Sequence, residues 1–188
     1  MTPAQLQTIK ADIAAKADMN TLPNNSDGSY AIAALYNQPS SPTVTVWRTD
    51  VPVSAILDAI NWSLYTPNDA PDNTATYTNR ALNIQTKQMN LQNMVIGRDR
   101  LDCSKVNIRA GLRDAVTAVP AGTGGTAVSP GGASGSTVLG NCTRVATRLE
   151  ALLATALQGS DTTGTVTARV MSFEGSVSYS DIDNAKVS

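Results

Sequence analysis

The feature that most constrains the fold is an apolar seam that runs through residues 73–119. In its first half, with Gln88 as the only interruption, the seam residues recur at spacings of three and four: Tyr77, Ala81, Ile84, Leu91 and Val95. That period is typical of a helix packed against other helices. A charged elbow at 98–102 follows, and Ser104 stands where a helix cap is expected. The second seam ends at Pro120 and consists of Ile108, Leu112, Ala115 and Val119. We therefore predict two helices joined by an elbow.

The flanks of the first of these helices are polar but almost uncharged. They consist mostly of amide side chains: Asn79, Asn83, Gln85, Thr86, Gln88, Asn90, Gln92 and Asn93. An exposed helix face usually carries charged residues, so these flanks favour contact with other protein. Ordinary polar variation on a solvent-exposed helix is the alternative.

Other segments carry helix signals as well. Residues 2–5 read as a capping box with Pro at the first helical position. A short helix is predicted from Ser29 to Asn37, with Tyr30 on its buried face. Asp50 is expected to cap a helix with apolar residues as far as Leu64. Asn141 is expected to cap a helix that ends at Gly159.

The C-terminal part changes period from helix to strand. Residues 165–171 alternate between polar and apolar side chains, which predicts a strand. Glu174 and Gly175 read as a turn and 176–179 as a return strand, before a short helical tail at 180–183.

A Gly-rich segment at 120–141 breaks the composition sharply. It contains seven glycines, and no charged residue occurs from Ala115 through Thr143. Its length exceeds that of an ordinary connection, so we predict a flexible arm or a loop ordered by a neighbour. A small hairpin that uses Val128, Val138 and Leu139 is the local structure we expect within it.

These patterns predict a mainly α fold: a single helical-bundle domain with a long Gly-rich loop and a small C-terminal β-hairpin or strand arm. A chain of 188 residues is long enough to bury one core. We place the helical domain at 1–164, with the Gly-rich loop at 120–141, and the C-terminal strand segment at 165–188.

Charge is unevenly distributed along the chain. Residues 1–79 carry three Lys or Arg against seven Asp, residues 80–148 nine against three, and residues 149–188 two against five acidic residues. A basic centre between acidic ends favours complementary contacts between subunits. Neutralisation within one subunit is the alternative.

The sequence offers little for catalysis. It has no His, which removes the commonest general base and the usual nucleophile triads. The Gly-rich segment lacks the Gly-Lys-Ser/Thr ending of a phosphate loop. Cys103 and Cys142 form no CxxC pair, so we expect no zinc site, two reduced thiols and no cofactor. A disulfide in an extracellular particle stays open. We predict that the chain is not an enzyme.

Two pairs of arginines are the main candidates for an interface. Arg109 and Arg113 are one helical turn apart, as are Arg144 and Arg148. Such stripes suit acidic protein or phosphate; the alternative is an intrasubunit role, in pairs with Asp114, Glu150 or helix termini. Phe173 and Tyr179 complete the candidate set. The negative net charge and few aromatics argue against dedicated nucleic-acid binding.

Four segments resemble those of small structural proteins of tailed-bacteriophage virions: residues 1–6, 46–49, 107–112 and 173–175. The resemblance spans most of the chain and includes no catalytic motif. It implies a head–tail connector or adaptor, a homo-oligomeric ring (a dodecamer, for example) that joins portal to tail proteins. Another virion subunit of the tail, collar or capsid decoration is the alternative, and a virion-associated enzyme is a weaker one. The expected location is the virion, assembled in the bacterial cytoplasm, with DNA passing nearby. No signal-like start and no apolar run of 18 residues occurs, so we expect no membrane insertion.

Overall fold

The computed structural model describes residues 1–66, 75–121, 126–155 and 166–188, and its architecture is mainly α. The α-helices are α1 (Pro3–Ala15), α2 (Ala17–Asn20), α3 (Ser26–Tyr36), α4 (Val53–Leu57), α5 (Ala75–Val95), α6 (Val106–Val116), α7 (Ser136–Asn141), α8 (Arg148–Leu153) and α9 (Tyr179–Val187). Short 3-10 helices occupy Trp62–Tyr65 and Ala133–Gly135. No helix in the described ranges is long and apolar enough to cross a bilayer.

Short strands form two small sheets. They are β1 (Thr45–Trp47), β2 (Val51–Pro52), β3 (Arg100–Leu101) and β4 (Thr143–Val145). Strand β1 pairs with β4. Strand β2 pairs antiparallel with β3, so that Val51 lies opposite Leu101 and Pro52 opposite Arg100.

The chain divides into two compact units. The first unit contains Met1–Val46, Val145–Ala156 and Arg169–Ser188, and the second contains Trp47–Arg144 and Leu157–Ala168. The single bundle domain that the sequence suggested is therefore not confirmed. The predicted boundary at 164/165 falls at residues outside the described ranges.

The first unit is built around α1, α3 and α9. Helix α1 begins with the predicted capping box: the Thr2 hydroxyl accepts from the Gln5 N–H, and the Gln5 side chain accepts from the Thr2 N–H. The core of the unit consists of Ile9, Ile13, Met19, Ile32, Ala33, Tyr36, Leu149, Leu153, Val177, Ile182 and Ala185. Because three of these residues lie beyond 169, the C-terminal segment is part of this core.

The second unit is built on the packing of α5 against α6. Ile84 and Leu91 of α5 are buried, as are Leu112, Ala115 and Val116 of α6. The predicted seams therefore identify the two helices correctly. The predicted cap is wrong, since Lys105 precedes α6 and makes no side-chain cap. Asp102 instead accepts hydrogen bonds from the Ser104 N–H and hydroxyl.

Several predicted elements need correction around residues 26–65. Helix α3 is capped by Asn25 and begins at Ser26. Its register exposes Tyr30 and buries Ile32 and Tyr36. Asp50 caps no helix: its carboxylate pairs with Arg100 at 3.0 Å.

The Gly-rich segment is more ordered than predicted. Beyond residues 122–125, which lie outside the described part, Val128 pairs with Val119 in an isolated bridge. Val138 and Leu139 are fully buried in α7, so the hairpin predicted for them is wrong. Close packing requires the glycine at 131, because a Cβ there would lie 2.4 Å from Val116 Cγ2.

The helix predicted from Asn141 to Gly159 begins later than expected, and its predicted end at Gly159 lies outside the described residues. Residues 143–145 form strand β4, and α8 begins only after Thr147, whose hydroxyl accepts from the Glu150 N–H. The predicted C-terminal hairpin is absent from residues 166–188. Arg169 makes an isolated parallel bridge with Val46, and residues 179–187 form helix α9. A helix was expected there, but a shorter one.

Candidate functional site

The strongest candidate is the outer face of helix α5 together with the groove beside it. The α5 sequence contains neither Gly nor Pro, and its apolar residues recur at helical spacing, so a continuous helix of 21 residues forms. Gly97 follows with a φ of 69°, which ends the helix in the left-handed conformation that glycine tolerates.

The inner face of α5 is fixed against α6. Lys87 is 9% exposed, and its ammonium donates to the Asp114 carbonyl oxygen and lies 3.4 Å from the Asp114 carboxylate. At Gly111 a Cβ would lie 2.9 Å from Met94 Sδ, so this glycine permits the close approach of the helices. These contacts determine which side chains face outward.

Three large apolar side chains recur at intervals of seven residues, two of them on the outer face of α5 and the third, Ile96, at the residue that directly follows the helix and still donates its N–H to the Gln92 carbonyl oxygen. Leu82 is 55% exposed, Met89 56% and Ile96 65%. With about 100° of rotation per residue, positions seven apart lie nearly above one another. We call these three residues the α5 stripe. Exposed apolar side chains that occur singly need no explanation, but a row on one helix is typical of an interaction surface.

A groove lies next to the stripe in the same unit. It has a volume of about 370 Å³ and is lined by Leu57, Trp62, Gln88, Leu91, Gln92 and Val95. We call it the Trp62 groove. The stripe and the groove carry no formal charge at any of their nine positions.

The Trp62 side chain is held in place although it is 48% exposed. Its indole N–H donates to the Leu57 carbonyl oxygen at 3.1 Å, and its ring lies 5.8 Å from the ring of Tyr65. The Tyr65 hydroxyl donates to the Ala115 carbonyl oxygen at 2.7 Å, and burial raises the pKa of Tyr65 to about 12. The wall of the groove is therefore pre-organised, which lowers the entropic cost of binding.

The arginines predicted from the sequence do not form one surface. Arg109 is 1% exposed, donates to the carbonyl oxygens of Cys103 at 2.8 Å and Ser104 at 2.7 Å, and stacks on Trp47. It is therefore removed from the set of interface candidates. Arg113 and Arg144 are partly buried and stay predictions.

Arg148 and the two predicted aromatic residues are engaged within the first unit. The Arg148 guanidinium donates to the Asp18 carboxylate at 2.6 Å and lies over Tyr36. Phe173 packs against the core. Tyr179 stacks on Tyr30 with ring centroids 4.4 Å apart.

Several cations of the basic centre form ion pairs within the second unit. Asp50 pairs with both Arg48 and Arg100, Lys105 pairs with Asp102, and Lys87 pairs with Asp114. The alternative of intrasubunit neutralisation thus accounts for part of the basic centre.

The two cysteines are buried free thiols in the second unit. Their backbones flank Arg48, whose N–H donates to Cys142 and whose carbonyl oxygen accepts from Cys103, each at 2.9 Å. The hydrogen bond with the Cys103 thiol, together with burial, raises the pKa of the Cys142 thiol. A protonated, buried thiol is a poor nucleophile. Within the described ranges, no cluster of three or more His, Cys, Asp or Glu residues could hold a metal ion.

Comparison with known proteins identifies no relative of this chain. No protein-family model, curated protein or solved structure matches the chain. Any functional conclusion must therefore come from the residues and from the surfaces they form.

A second cavity, of about 310 Å³, lies in the first unit, with Ile13, Met19 and Ile32 among its lining residues. Its two lysines are already engaged, since Lys10 donates to the Ser188 carbonyl oxygen and Lys186 to the Ser29 hydroxyl. The Trp62 groove is the stronger candidate, because it adjoins an exposed apolar row.

Proposed function

We propose that this chain is a structural subunit of a tailed-bacteriophage virion, and specifically a head–tail connector that forms a homo-oligomeric ring between portal and tail proteins. The observation that carries the structural role is the outer face of α5, where three large apolar side chains and uncharged amides are exposed together. Covering such a surface with protein is favourable, because its apolar area is removed from water. The assignment to a virion rests on the four resembling sequence segments.

The low charge of the chain supports the same proposal. Only 15% of residues are charged, against about a quarter in typical soluble domains. In an assembly, neighbouring subunits cover much of the surface of each subunit. Uncharged amides can form hydrogen bonds in such contacts without the desolvation cost of ions. The proposal assigns the chain no catalytic step, cofactor or membrane contact.

Copy number in purified particles is the deciding measurement. Quantitative peptide mass spectrometry, calibrated against the major capsid protein, should give six or twelve copies of a connector subunit. Hundreds of copies would indicate capsid decoration or a tail subunit instead, which is the alternative. Absence of the chain from purified particles would overturn the proposal.

A further inference from the structure

We infer that the α5 stripe of one subunit packs into the Trp62 groove of a second copy of this chain, in a head-to-tail contact. The inference rests on the proposed function, since it names the partner of the surface on which the structural role depends. Two different patches of one subunit meet in such a contact, which makes it heterologous and able to close into a ring or to continue as a filament.

The shapes of the two patches favour this pairing. The stripe is a convex row of Leu82, Met89 and Ile96 on a helix, whereas the groove is a concave surface between α5 and the residues near Trp62. Side chains on one helix pack into the spaces between those of a neighbour. If two stripes met face to face, convex surfaces would oppose each other and both grooves would stay uncovered.

Because the α5 stripe and the Trp62 groove carry no charged residue, they favour a partner surface that is also uncharged. Between Leu82 and Ile96 the only charged residue is Lys87, which is 9% exposed and bound to Asp114. A phosphate backbone or a strongly charged protein would lose its hydration here and meet no counter-charge. A second copy brings apolar side chains and amides, and each amide both donates and accepts hydrogen bonds. Both surfaces are uncharged, so no hydrated ion is buried when they meet.

The strength of a single contact follows from its area. From Leu82 to Ile96 the helix rises about 20 Å. A contact strip of that length and one helix width buries on the order of 500 Å² per pair, well below the roughly 1,200 Å² of a stable interface. A single contact is therefore weak. In a ring each subunit makes two such contacts, and closure stabilises all of them together.

Cysteine cross-linking with two single-cysteine variants tests the geometry. Met89→Cys places a thiol at the centre of the stripe, and Gln88→Cys places one in the groove, about 100° away around the helix. Each chain is produced with a different mass tag, mixed at high concentration and treated with a mild oxidant. We expect a mixed disulfide-linked dimer of the two variants and little self-linked dimer of either one.

The matched control is Asn83→Cys, which lies on the same helix, is exposed and faces away from both patches. It should cross-link with neither variant. The native Cys103 and Cys142 are buried, and the unmodified chain reports any background from them. Self-linked Met89→Cys dimers at the yield of the mixed pair would overturn the inference in favour of a twofold stripe-to-stripe contact.

A charge variant gives an independent readout. Met89→Glu should weaken concentration-dependent assembly at least tenfold in sedimentation velocity, whereas Asn83→Glu should leave it unchanged, with the melting temperatures of both close to that of the parent chain. If the parent chain stays monomeric at millimolar concentration and no mixed dimer forms, a second copy does not occupy the groove, and the inference is wrong.

The inference and the proposed function fail separately. A chain that is present in particles at six or twelve copies but shows no cross-link between residues 88 and 89 retains the proposed function and loses this contact. A chain that cross-links as expected but is absent from particles retains the contact and loses the virion assignment.

Discussion

Each compact unit contains a charged side chain that is almost completely buried, and backbone groups of opposite polarity bind the two charges. Arg109 in the second unit and Glu150 in the first are both 1% exposed. Arg109 donates to the backbone carbonyl oxygens of Cys103 and Ser104. Glu150 accepts from the backbone N–H groups of Thr147 and Gly175, at 2.9 and 3.1 Å.

The comparison shows why charge counts along the chain do not reveal which charged residues are buried. A buried ion usually requires compensation, and backbone dipoles supply part of it at both sites. Backbone groups occur at every position, so the distribution of acidic and basic residues along the chain does not reveal these contacts. An arginine stripe in the sequence is therefore equally compatible with an exposed surface and with a buried anchor.

The two units also differ in how some of their exposed large side chains are arranged. In the first unit the exposed Tyr30 and Tyr179 stack on each other, which covers part of each ring. In the second unit the α5 stripe has no such arrangement of mutual cover, because residues seven apart stand one above another along the helix. The second unit is therefore the one that we assign to subunit contact.

The largest effect should follow Arg109→Ala. The variant leaves one buried and one partly buried carbonyl oxygen without their donor and opens a cavity against Trp47, so we expect a loss of about 3–5 kcal/mol in the free energy of unfolding. Urea denaturation monitored by tryptophan fluorescence measures this loss. The partly buried Arg113→Ala is the matched control, with an expected loss of about 1 kcal/mol.

A loss below about 1 kcal/mol for Arg109→Ala would contradict the role of Arg109 as a structural anchor. Hydrogen exchange should further show that the loss of protection begins in α6, on which Arg109 lies.

Glu150→Ala is the counterpart in the first unit, with an expected loss of about 2–3 kcal/mol. It removes the acceptor of the Thr147 and Gly175 N–H groups and half of the capping box that begins α8. Thermal unfolding followed by circular dichroism provides the measurement. Glu150→Gln retains one acceptor oxygen, so its stability should lie between that of the parent chain and that of Glu150→Ala. If Glu150→Ala is as stable as the parent chain, the N–H groups find other partners.

The helices with strong local signals were predictable from the sequence. The capping box at Thr2, the seam of α5 and the apolar repeat of α6 all led to helices in the right places. Each of these signals depends on residues within one or two turns, so no long-range contact is needed to read it.

Elements that depend on distant partners were missed. Asn141 has the side chain of a helix cap, but its amide donates to the Ala55 carbonyl oxygen and α7 ends at this residue. The Gly-rich segment looks flexible by composition, yet Gly131 fits against Val116 and Val138 because it has no side chain. Neither contact could be read from neighbours in the sequence.

The candidate site was predicted in part. The amide-rich flanks of α5 indicated contact with protein, and they surround the stripe and form part of the groove. Leu82, Met89 and Ile96 were overlooked, although their spacing of seven is visible in the sequence. Trp62 could not have been assigned, because its place beside Leu91 and Val95 depends on the tertiary fold.

A smaller effect is expected at the surface of the first unit, where Arg148→Ala should cost at most about 1 kcal/mol. The Arg148 guanidinium meets Asp18 at 2.6 Å, but the Asp18 side chain is half exposed and solvent screens the pair. Urea denaturation at low salt should detect the loss, and about 0.5 M NaCl should reduce it. A loss as large as that of Glu150→Ala would mean that the contact between Arg148 and Tyr36 matters more than the ion pair.

The smallest effect is the acid response of two carboxylates in the first unit. A hydrogen bond from Arg148 lowers the pKa of Asp18 below its ordinary 3.8, and hydrogen bonds from Ser178 lower the pKa of Asp181. Because both values are lower in the folded chain than in the unfolded one, the stabilisation is complete above the ordinary pKa. It is lost as the pH falls through the folded values.

Salt should distinguish the two carboxylates. Asp18 pairs with a cation, whereas Asp181 is bound by the neutral hydroxyl and N–H of Ser178 at 2.6 and 2.9 Å. In Asp181→Asn, where Asp18 remains, the melting temperature should therefore fall between about pH 6 and 2.5, and salt should change the size of that fall. In the complementary variant Asp18→Asn, the melting temperature should fall over the same pH range, and about 0.5 M NaCl should hardly change that fall. Equal salt responses in the two variants would show that the exposed ion pair contributes nothing beyond the helix cap.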